Sequence, residues 1–279
     1  MNILHPLRKF ASGRSRKITA LRGARYDDPL TRHRLFPFLL ALLLAGCKPP
    51  ELPRVTCIVG AVLFDGTGGP PISNSVVTIE NGRIRAAGMR SNLTIPPEAD
   101  KIDGSGKFIV PTPIDLDSRK PALPEAATLR DVRTQVDRGA NGFLGIMRDT
   151  DSLDHAFVTR LRDLRIVFAP RLSAVKNPAE LAIAEHNTKT LDAAGVPIAV
   201  AGALSRETEL LVEAGLTPTD VLLAATRNGA QALGMLDQEG TLEPGKRANL
   251  MLLTANPAED IRNLSKIDRT MQDGTWQQH

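Results

Sequence analysis

The stretch NPAELAIAEHNTKTLDAAGVPIAVA, residues 177–201, predicts a helix followed by a buried strand. Asn177 is suited to cap the helix, Pro178 fits the first helical position, and Glu180 places an acid in the first turn. Positions spaced by three and four then share one face of the helix until Gly195, and these are Leu181, Ala184, Thr188 and Leu191. The apolar run at 196–201 is typical of a strand that is covered on both faces. A helix leading into such a strand is the repeating unit of a parallel α/β sheet.

The alternation of helix and strand begins near residue 128 and continues to a further predicted helix. That helix starts at the capping motif Thr217-Pro218-Thr219-Asp220, runs through Leu233 and ends at Gly234. Both flanks have β character instead. Upstream, strands from residue 55 onward and the turn Asn81-Gly82 predict a small antiparallel module, and downstream, strands are predicted at 249–253 and 267–276.

The basic charge of the chain is concentrated at its start. The whole chain carries a net charge of +4, but residues 1–46 hold nine Lys or Arg and two acids, which leaves 26 basic and 29 acidic side chains in residues 47–279. The main body is therefore slightly acidic, and we expect no nucleic-acid partner.

The same leader has the features of a bacterial lipoprotein signal. Arg32-His33-Arg34 precedes an apolar run at 35–44 that is too short to cross ~30 Å of hydrocarbon. The run ends in Leu44-Ala45-Gly46-Cys47, which resembles a lipobox, so lipidation is expected at Cys47. We predict a leader and signal peptide at 1–46, a lipidated tether at 47–54, and a membrane partner through the lipid. Lys48 favours the outer membrane, facing the periplasm.

Cys57 is the one other cysteine of the chain. After lipidation of Cys47 no intrachain disulfide and no cysteine-based metal site can form. Cys57 lies in a predicted strand, where a small buried side chain is expected.

Several motifs on both flanks and in the α/β part occur in an ordered series. They are Phe64-Asp65-Gly66-Thr67-Gly68, Ile79-Glu80-Asn81-Gly82-Arg83-Ile84, Ala194-Gly195-Val196-Pro197, Ala224-Ala225-Thr226-Arg227-Asn228 and Gly240-Thr241-Leu242-Glu243-Pro244-Gly245-Lys246. In this order they resemble the amidohydrolase superfamily, in particular its imidazolonepropionase-like and prolidase-like branch. The resemblance implies an α/β plus β fold, with a composite β-sandwich module at 55–110 and 240–279 beside a (β/α) barrel at 111–239.

The family's metal-binding positions are changed in this sequence. The resemblance implies a His-x-His pair after the first barrel strand, and those positions hold Asp117 and Arg119. Arginine carries a fixed positive charge and no lone pair, so it cannot bind a cation. The aspartate that would bind metal and accept the proton of water is replaced by Ala203.

The barrel segment is also short. Residues 111–238 are 128 positions, whereas a complete barrel needs about 250. We therefore expect a truncated barrel-like parallel sheet of about four strands, in which 139–149 and 166–172 resemble the second and seventh strands of the family. The strands that carry its bridging lysine and two further histidines are missing.

Other acidic residues and histidines are candidates for a replacement metal site. Asp115 and Asp117 alternate along a predicted strand and would share a face, while Asp149, Asp151 and Asp154 either bind a hard cation or cap a helix starting near Ser152. The histidines His155 and His186 lie off the apolar faces of their predicted helices, which favours surface positions.

Two functional hypotheses follow. In the first, the protein is an amidohydrolase-like envelope lipoprotein, by descent a metal-dependent hydrolase of C–N bonds, that uses no cofactor, has no catalytic or metal-binding residues of its own and serves in binding or assembly. In the alternative, it is an active C–N hydrolase with a non-standard metal site around Asp115, Asp117 and Asp149. Because four parallel strands cannot close and few helices cover them, we also expect an open side that pairs with a second copy or with a full-length amidohydrolase-like protein.

Overall fold

The computed structural model describes residues 55–118 and 123–278. Its strands are β1 (Val55–Val59), β2 (Val62–Leu63), β3 (Ser75–Glu80), β4 (Arg83–Met89), β5 (Asp100–Asp103), β6 (Phe108–Pro111), β7 (Gly142–Leu144), β8 (Val167–Ala169), β9 (Leu250–Leu253), β10 (Ile267–Gln272) and β11 (Thr275–Trp276). Its helices are α1 (Leu129–Asp137), α2 (His155–Asp163), α3 (Pro178–Ala193), α4 (Leu204–Glu213), α5 (Pro218–Ala225) and α6 (Arg227–Ala232), with short 3-10 helices at Arg90–Asn92, Leu172–Ala174 and Ile261–Ser265. The predicted leader, the tether, Cys47 and Arg119 lie outside the described residues. Of the helices in these two ranges, none combines the length and apolarity needed to cross a membrane.

Two sheets contain strands from the flanks of the chain. One has the order β4-β3-β1-β5, and the other has the order β11-β10-β9-β6-β2, so N-terminal and C-terminal strands pair in the second sheet. One cluster of buried side chains spans both sheets, with Ile58 and Val77 from the first and Ile109 and Leu252 from the second. Burying such side chains is worth about 1.5–3 kcal/mol each, which joins the two ends of the chain into one core.

The predicted hairpin turn is present, but the prediction of a purely antiparallel module is wrong. Asn81 and Gly82 have φ angles of 53° and 77° between β3 and β4, as a type I′ turn requires. The pairs β1–β5 and β2–β6 are parallel. The reason is topological, since β5 and β6 each return to their partner strand after an intervening excursion of the chain.

The parallel sheet consists of two regular strands with irregular neighbours. β7 pairs with β8 in register, and single bridges add Glu125 beside Leu144 and Ile198 beside Phe168. The N–H of Leu116 then donates to the carbonyl of Val200 at 3.2 Å. The segment order is 124–126, β7, β8, 197–200 and 114–117. The predicted strand at 196–201 forms only a bridge, because Pro197 has no N–H to donate to a ladder.

The two faces of this sheet are both covered. Phe143 and Phe168 stack with ring centroids 5.1 Å apart on the face that packs against the helices. On the other face Leu144, Val167 and Ala169 are buried in a cluster that includes Ala230 of α6. The expectation of an uncovered face is therefore wrong, because residues of α6 pack against it.

Two helix boundaries differ from the sequence expectation. α2 begins at His155 instead of near Ser152, and Asp154 is its N-cap, accepting the N–H of Phe157 at 2.8 Å. The helix predicted through Leu233 is divided into α5 and α6 at Thr226, where φ and ψ are −125° and −87°.

The division at Thr226 is explained by contacts that the next two residues make. The Asn228 amide donates to the carbonyl of Ile198 at 2.7 Å, and the Arg227 guanidinium donates to the carbonyl of Thr67 at 2.7 Å. Both bonds join α6 to distant segments, and a continuous helix would turn these side chains away. Tertiary hydrogen bonds therefore override local helix propensity here.

Candidate functional site

The carboxyl ends of the parallel segments form the candidate site, called the mouth below. It contains residues that lie in these segments or within two positions of their ends, which are Asp115, Asp117, Glu125, Arg171 and Gly202. In sheets of parallel strands, ligands bind at this end.

Asp115 has a structural part in the mouth. Its Oδ1 accepts the N–H of Gly202 at 2.8 Å and the N–H of Asp117 at 3.0 Å. The carboxylate thereby links the adjacent segments 114–117 and 197–200 of the parallel sheet. Gly202 has a φ of +97°, a backbone conformation that glycine adopts without strain, and a Cβ at this position would make only an ordinary contact with Asp117 Oδ2, at 3.5 Å.

Asp117 faces an arginine that our sequence reasoning did not single out. Arg171 Nε lies 3.5 Å from Asp117 Oδ2, and Arg171 Nη1 donates to Glu125 Oε1 at 3.0 Å. The side chains of Arg171 and Asp117 are 32% and 29% exposed, and that of Glu125 is 71% exposed. One guanidinium group thus connects both outer segments of the sheet across the mouth.

Arg171 is held in an unusual backbone conformation. Its φ and ψ are 54° and 45°, in the left-handed region that non-glycine residues seldom adopt. Directly after it, the N–H groups of Leu172 and Ser173 donate to the Glu207 carboxylate at 2.6 and 3.1 Å. Glu207 is 0% exposed, so its two backbone partners compensate a charge that is otherwise costly to bury.

Sequence reasoning missed Arg171 and Glu207, although one signal was present for Glu207. Leu204, Glu207 and Leu211 are spaced by three and four positions, which places the acid on the apolar face of α4. A charged residue on an apolar face needs a specific partner. No comparable pattern marks Arg171, whose left-handed backbone follows from its tertiary contacts.

The remaining predicted residues are dispersed in the structure. Ala203 flanks the start of α4 and offers no side-chain acceptor there. Asp149 accepts the N–H of Leu129 at the start of α1 at 2.9 Å. Asp154 caps α2 as one of the two interpretations predicted, and the Phe157 N–H lowers the pKa of this carboxyl, assisted by Arg133. Both His155 and His186 are exposed, in agreement with surface positions.

A separate cleft of about 520 Å³ lies between α4, the 3-10 helix Ile261–Ser265 and strands β9 and β10. Its walls include Met251, Ile261 and Leu264, and Glu209 and Arg262 contribute charged groups. Its volume is within the range of small-molecule sites. None of the five mouth residues lines it.

Comparison with known proteins identifies the family. Residues 127–276, more than half of the chain, match the model of the amidohydrolase family. The chain belongs to the amidohydrolase family. The segment 127–276 begins just before α1 and ends in β11, so it includes β7, β8, residues 197–200 and the C-terminal strands, while the two outer segments of the parallel sheet precede it.

Individual amidohydrolases and related structures agree with this assignment. A stretch of 45 residues is 56% identical to the imidazolonepropionase of Ruegeria pomeroyi, covering 16% of this chain and 11% of that enzyme. The chain thus matches about a tenth of the length of this curated relative.

Solved structures are similar at low sequence identity. A molinate hydrolase aligns with a TM-score of 0.68 and 13% identity, over 81% of this chain and 95% of that chain. A Xaa-Pro dipeptidase with bound methionine aligns with a TM-score of 0.59 and 14% identity over 81% of this chain and 100% of that chain, and A. niger ochratoxinase with 0.59 and 14% over 81% and 96%. These similarities establish an amidohydrolase-like fold.

The mouth does not fit the divalent metal that the amidohydrolase fold implies. Asp115 Oδ1 already accepts two backbone N–H groups, and Asp117 faces the guanidinium of Arg171. Within residues 55–118 and 123–278, no three His, Cys, Asp or Glu side chains are grouped so that they could hold a metal ion. Asp149, the third member of the alternative ligand set, is instead bound to the start of α1. We therefore derive no reaction step through a metal.

Proposed function

We propose that this amidohydrolase is a lipid-anchored protein of the bacterial envelope that binds a ligand or partner without metallohydrolase activity of its own. Family membership supports descent from hydrolases of C–N bonds. The observation that carries the proposal is the ion pair of Arg171 with Asp117 at 3.5 Å, which places a permanent cation among the carboxylates of the mouth. Like charges repel, so a divalent ion has to displace this guanidinium before it reaches Asp117.

The domain organisation is part of the same proposal. Residues 55–110 and 240–279 would form the composite β-sandwich module, and residues 111–239 the barrel remnant. Support comes from the pairing of β6 with β9 and from the side-chain cluster shared by the two flanking sheets. In this organisation the β-sandwich module supports the parallel sheet, and the mouth lies at the carboxyl ends of the parallel segments.

Metal content and turnover test the proposal together. The full chain is extracted from bacterial membranes in detergent, dialysed, and analysed for zinc, manganese and iron, and it is then assayed with amide, lactam and dipeptide substrates. We expect no transition metal near unit stoichiometry and no hydrolysis above buffer. Tight metal binding requires several correctly placed ligands, and those at the mouth are already engaged.

A matched variant distinguishes metal bound at the alternative site from metal bound elsewhere on the protein. Asp117→Asn removes one carboxylate of the alternative site and keeps the side-chain volume. If wild-type protein retains one metal per chain, hydrolyses a C–N bond, and loses both properties in Asp117→Asn, the alternative hypothesis of an active hydrolase is correct and our proposal is wrong. Equal and negligible metal content in both proteins supports the proposal.

A further inference from the structure

Arg171 combines three features that favour a binding role over a purely structural one. It follows the central strand β8 at the carboxyl end of the sheet, its backbone is left-handed, and a fully buried carboxylate fixes the two N–H groups that follow it. A left-handed non-glycine residue is strained and persists only where the surrounding structure imposes it. The buried Glu207 provides that constraint, so the guanidinium projects from a rigid base.

The two ion pairs of Arg171 differ in how easily they are exchanged. Asp117 is 29% exposed, whereas Glu125 is 71% exposed. An exposed ion pair contributes little to stability because water competes for both charges. A carboxylate arriving from solvent can therefore replace Glu125 at little cost, while Asp117 remains beside Nε.

We propose that Arg171 binds the carboxylate of a small monocarboxylic ligand at the mouth, with Glu125 as the group that the ligand displaces. This inference rests on the proposed binding function and names its ligand class. The planar fork of guanidinium N–H donors matches a carboxylate in a bidentate arrangement. The pair with Glu125 at 3.0 Å already reproduces one half of that arrangement.

The charge around Arg171 selects for a single negative charge. Asp115 and Asp117 stay in the mouth, where Asp115 accepts backbone N–H groups and Asp117 pairs with Arg171. A dianion such as phosphate meets greater repulsion from these carboxylates than a monoanion does. The ligand that fits has one carboxylate.

Glu207 acts as a positioning residue in this arrangement. It does not touch the guanidinium but accepts the N–H groups of the two residues that follow Arg171. Changing Glu207→Gln keeps its volume and turns one oxygen into an N–H donor that faces these N–H groups. The affinity for butyrate, a small monocarboxylate, should then fall, and the 171–174 turn should become less rigid. Amide hydrogen exchange of Leu172 measures the rigidity of the turn independently of butyrate binding.

Calorimetry of the full chain in detergent at low ionic strength tests the proposal with three probes: butyrate, its neutral analogue butyramide, and inorganic phosphate. We expect butyrate to bind more tightly than both others. Arg171→Lys keeps the charge but loses the fork, and should weaken butyrate binding about tenfold. Glu125→Gln removes the competing carboxylate and should strengthen it by about threefold.

Glu180→Gln is the matched control, since Glu180 forms a separate, partly exposed pair with Arg148 at 3.6 Å. Its butyrate affinity should equal that of the wild type. The proposal is overturned if butyramide or phosphate binds as tightly as butyrate, or if Glu125→Gln leaves butyrate affinity unchanged. A bound catalytic metal with turnover would refute the proposed function but not butyrate binding, so the two failures are distinguishable.

Discussion

The carboxylate of Glu207 accepts the N–H of Leu172 at 2.6 Å inside the protein and thereby sets the backbone from which Arg171 projects. Glu207→Gln should lower the free energy of unfolding by about 1–3 kcal/mol, because a buried N–H loses its acceptor. Denaturant unfolding of the detergent-extracted chain measures this. Glu209→Gln, on the same helix but partly exposed, should change stability by less than about 0.5 kcal/mol. Equal stability of the two variants would contradict a specific role for the buried carboxylate.

The raised pKa of Asp192 predicts that the stability of the folded protein depends on pH. Burial, and then the nearby charge of Asp220, raise the pKa of Asp192 to about 6. The folded state therefore binds more protons than the unfolded state between the ordinary carboxyl pKa of about 4 and pH 6. Stability from this group is fully present below about pH 4 and is lost as the pH rises through about 6.

Asp192→Asn should accordingly stabilise the protein at pH 7 and have little effect below pH 4. Because the side chain is only partly buried, we expect a gain of roughly 1 kcal/mol instead of the full value of the shift. Thermal unfolding at several pH values measures it. The exposed Asp237→Asn is the control, and a gain for Asp192→Asn that is the same at all pH values would contradict the assignment.

Lipid anchoring remains a prediction from the sequence, since Cys47 lies outside the described residues. Cys47→Ser removes the sulfur that would carry the lipid. We expect the variant either to leave the membrane fraction or to accumulate unprocessed, because the apolar run at 35–44 is too short to span the bilayer. Fractionation and mass spectrometry of the bacterial envelope decide this. A Cys47→Ser protein of normal processed size that stays membrane-bound would exclude the lipoprotein hypothesis.

Assembly with a second chain also remains a prediction. It now depends on an open strand edge and no longer on an uncovered face. The inner face of the parallel sheet is covered by α6, but in the part of the chain that the structure describes no strand pairs with the outer side of segment 124–126. An open strand edge favours pairing with another chain. We expect a homodimer, or a complex with a full-length amidohydrolase-like protein, formed at this edge. Light scattering at micromolar concentration and crosslinking in the envelope measure it, and a monomer with no crosslinked partner would rule it out.

The amino-acid sequence by itself determined the local elements and the family. Asn177 and Thr217 cap their helices as predicted, and Asn81-Gly82 forms the turn between β3 and β4. Caps and tight turns depend on hydrogen bonds and φ angles within a few residues, so these features can be inferred from neighbouring residues alone. The lack of a side-chain acceptor at Ala203 was equally evident, because it depends only on side-chain identity.

The tertiary structure alone decided the arrangement of the mouth. Leu172 and Glu207 are 35 positions apart, and Asp115 and Gly202 are 87 positions apart, so no local pattern indicates that they are bonded. The break at Thr226 likewise results from bonds to Ile198 and Thr67. Buried polar groups must find partners wherever the packed chain provides them. For that reason Arg171, which local sequence does not distinguish from other surface arginines, is the cation at the centre of the candidate site.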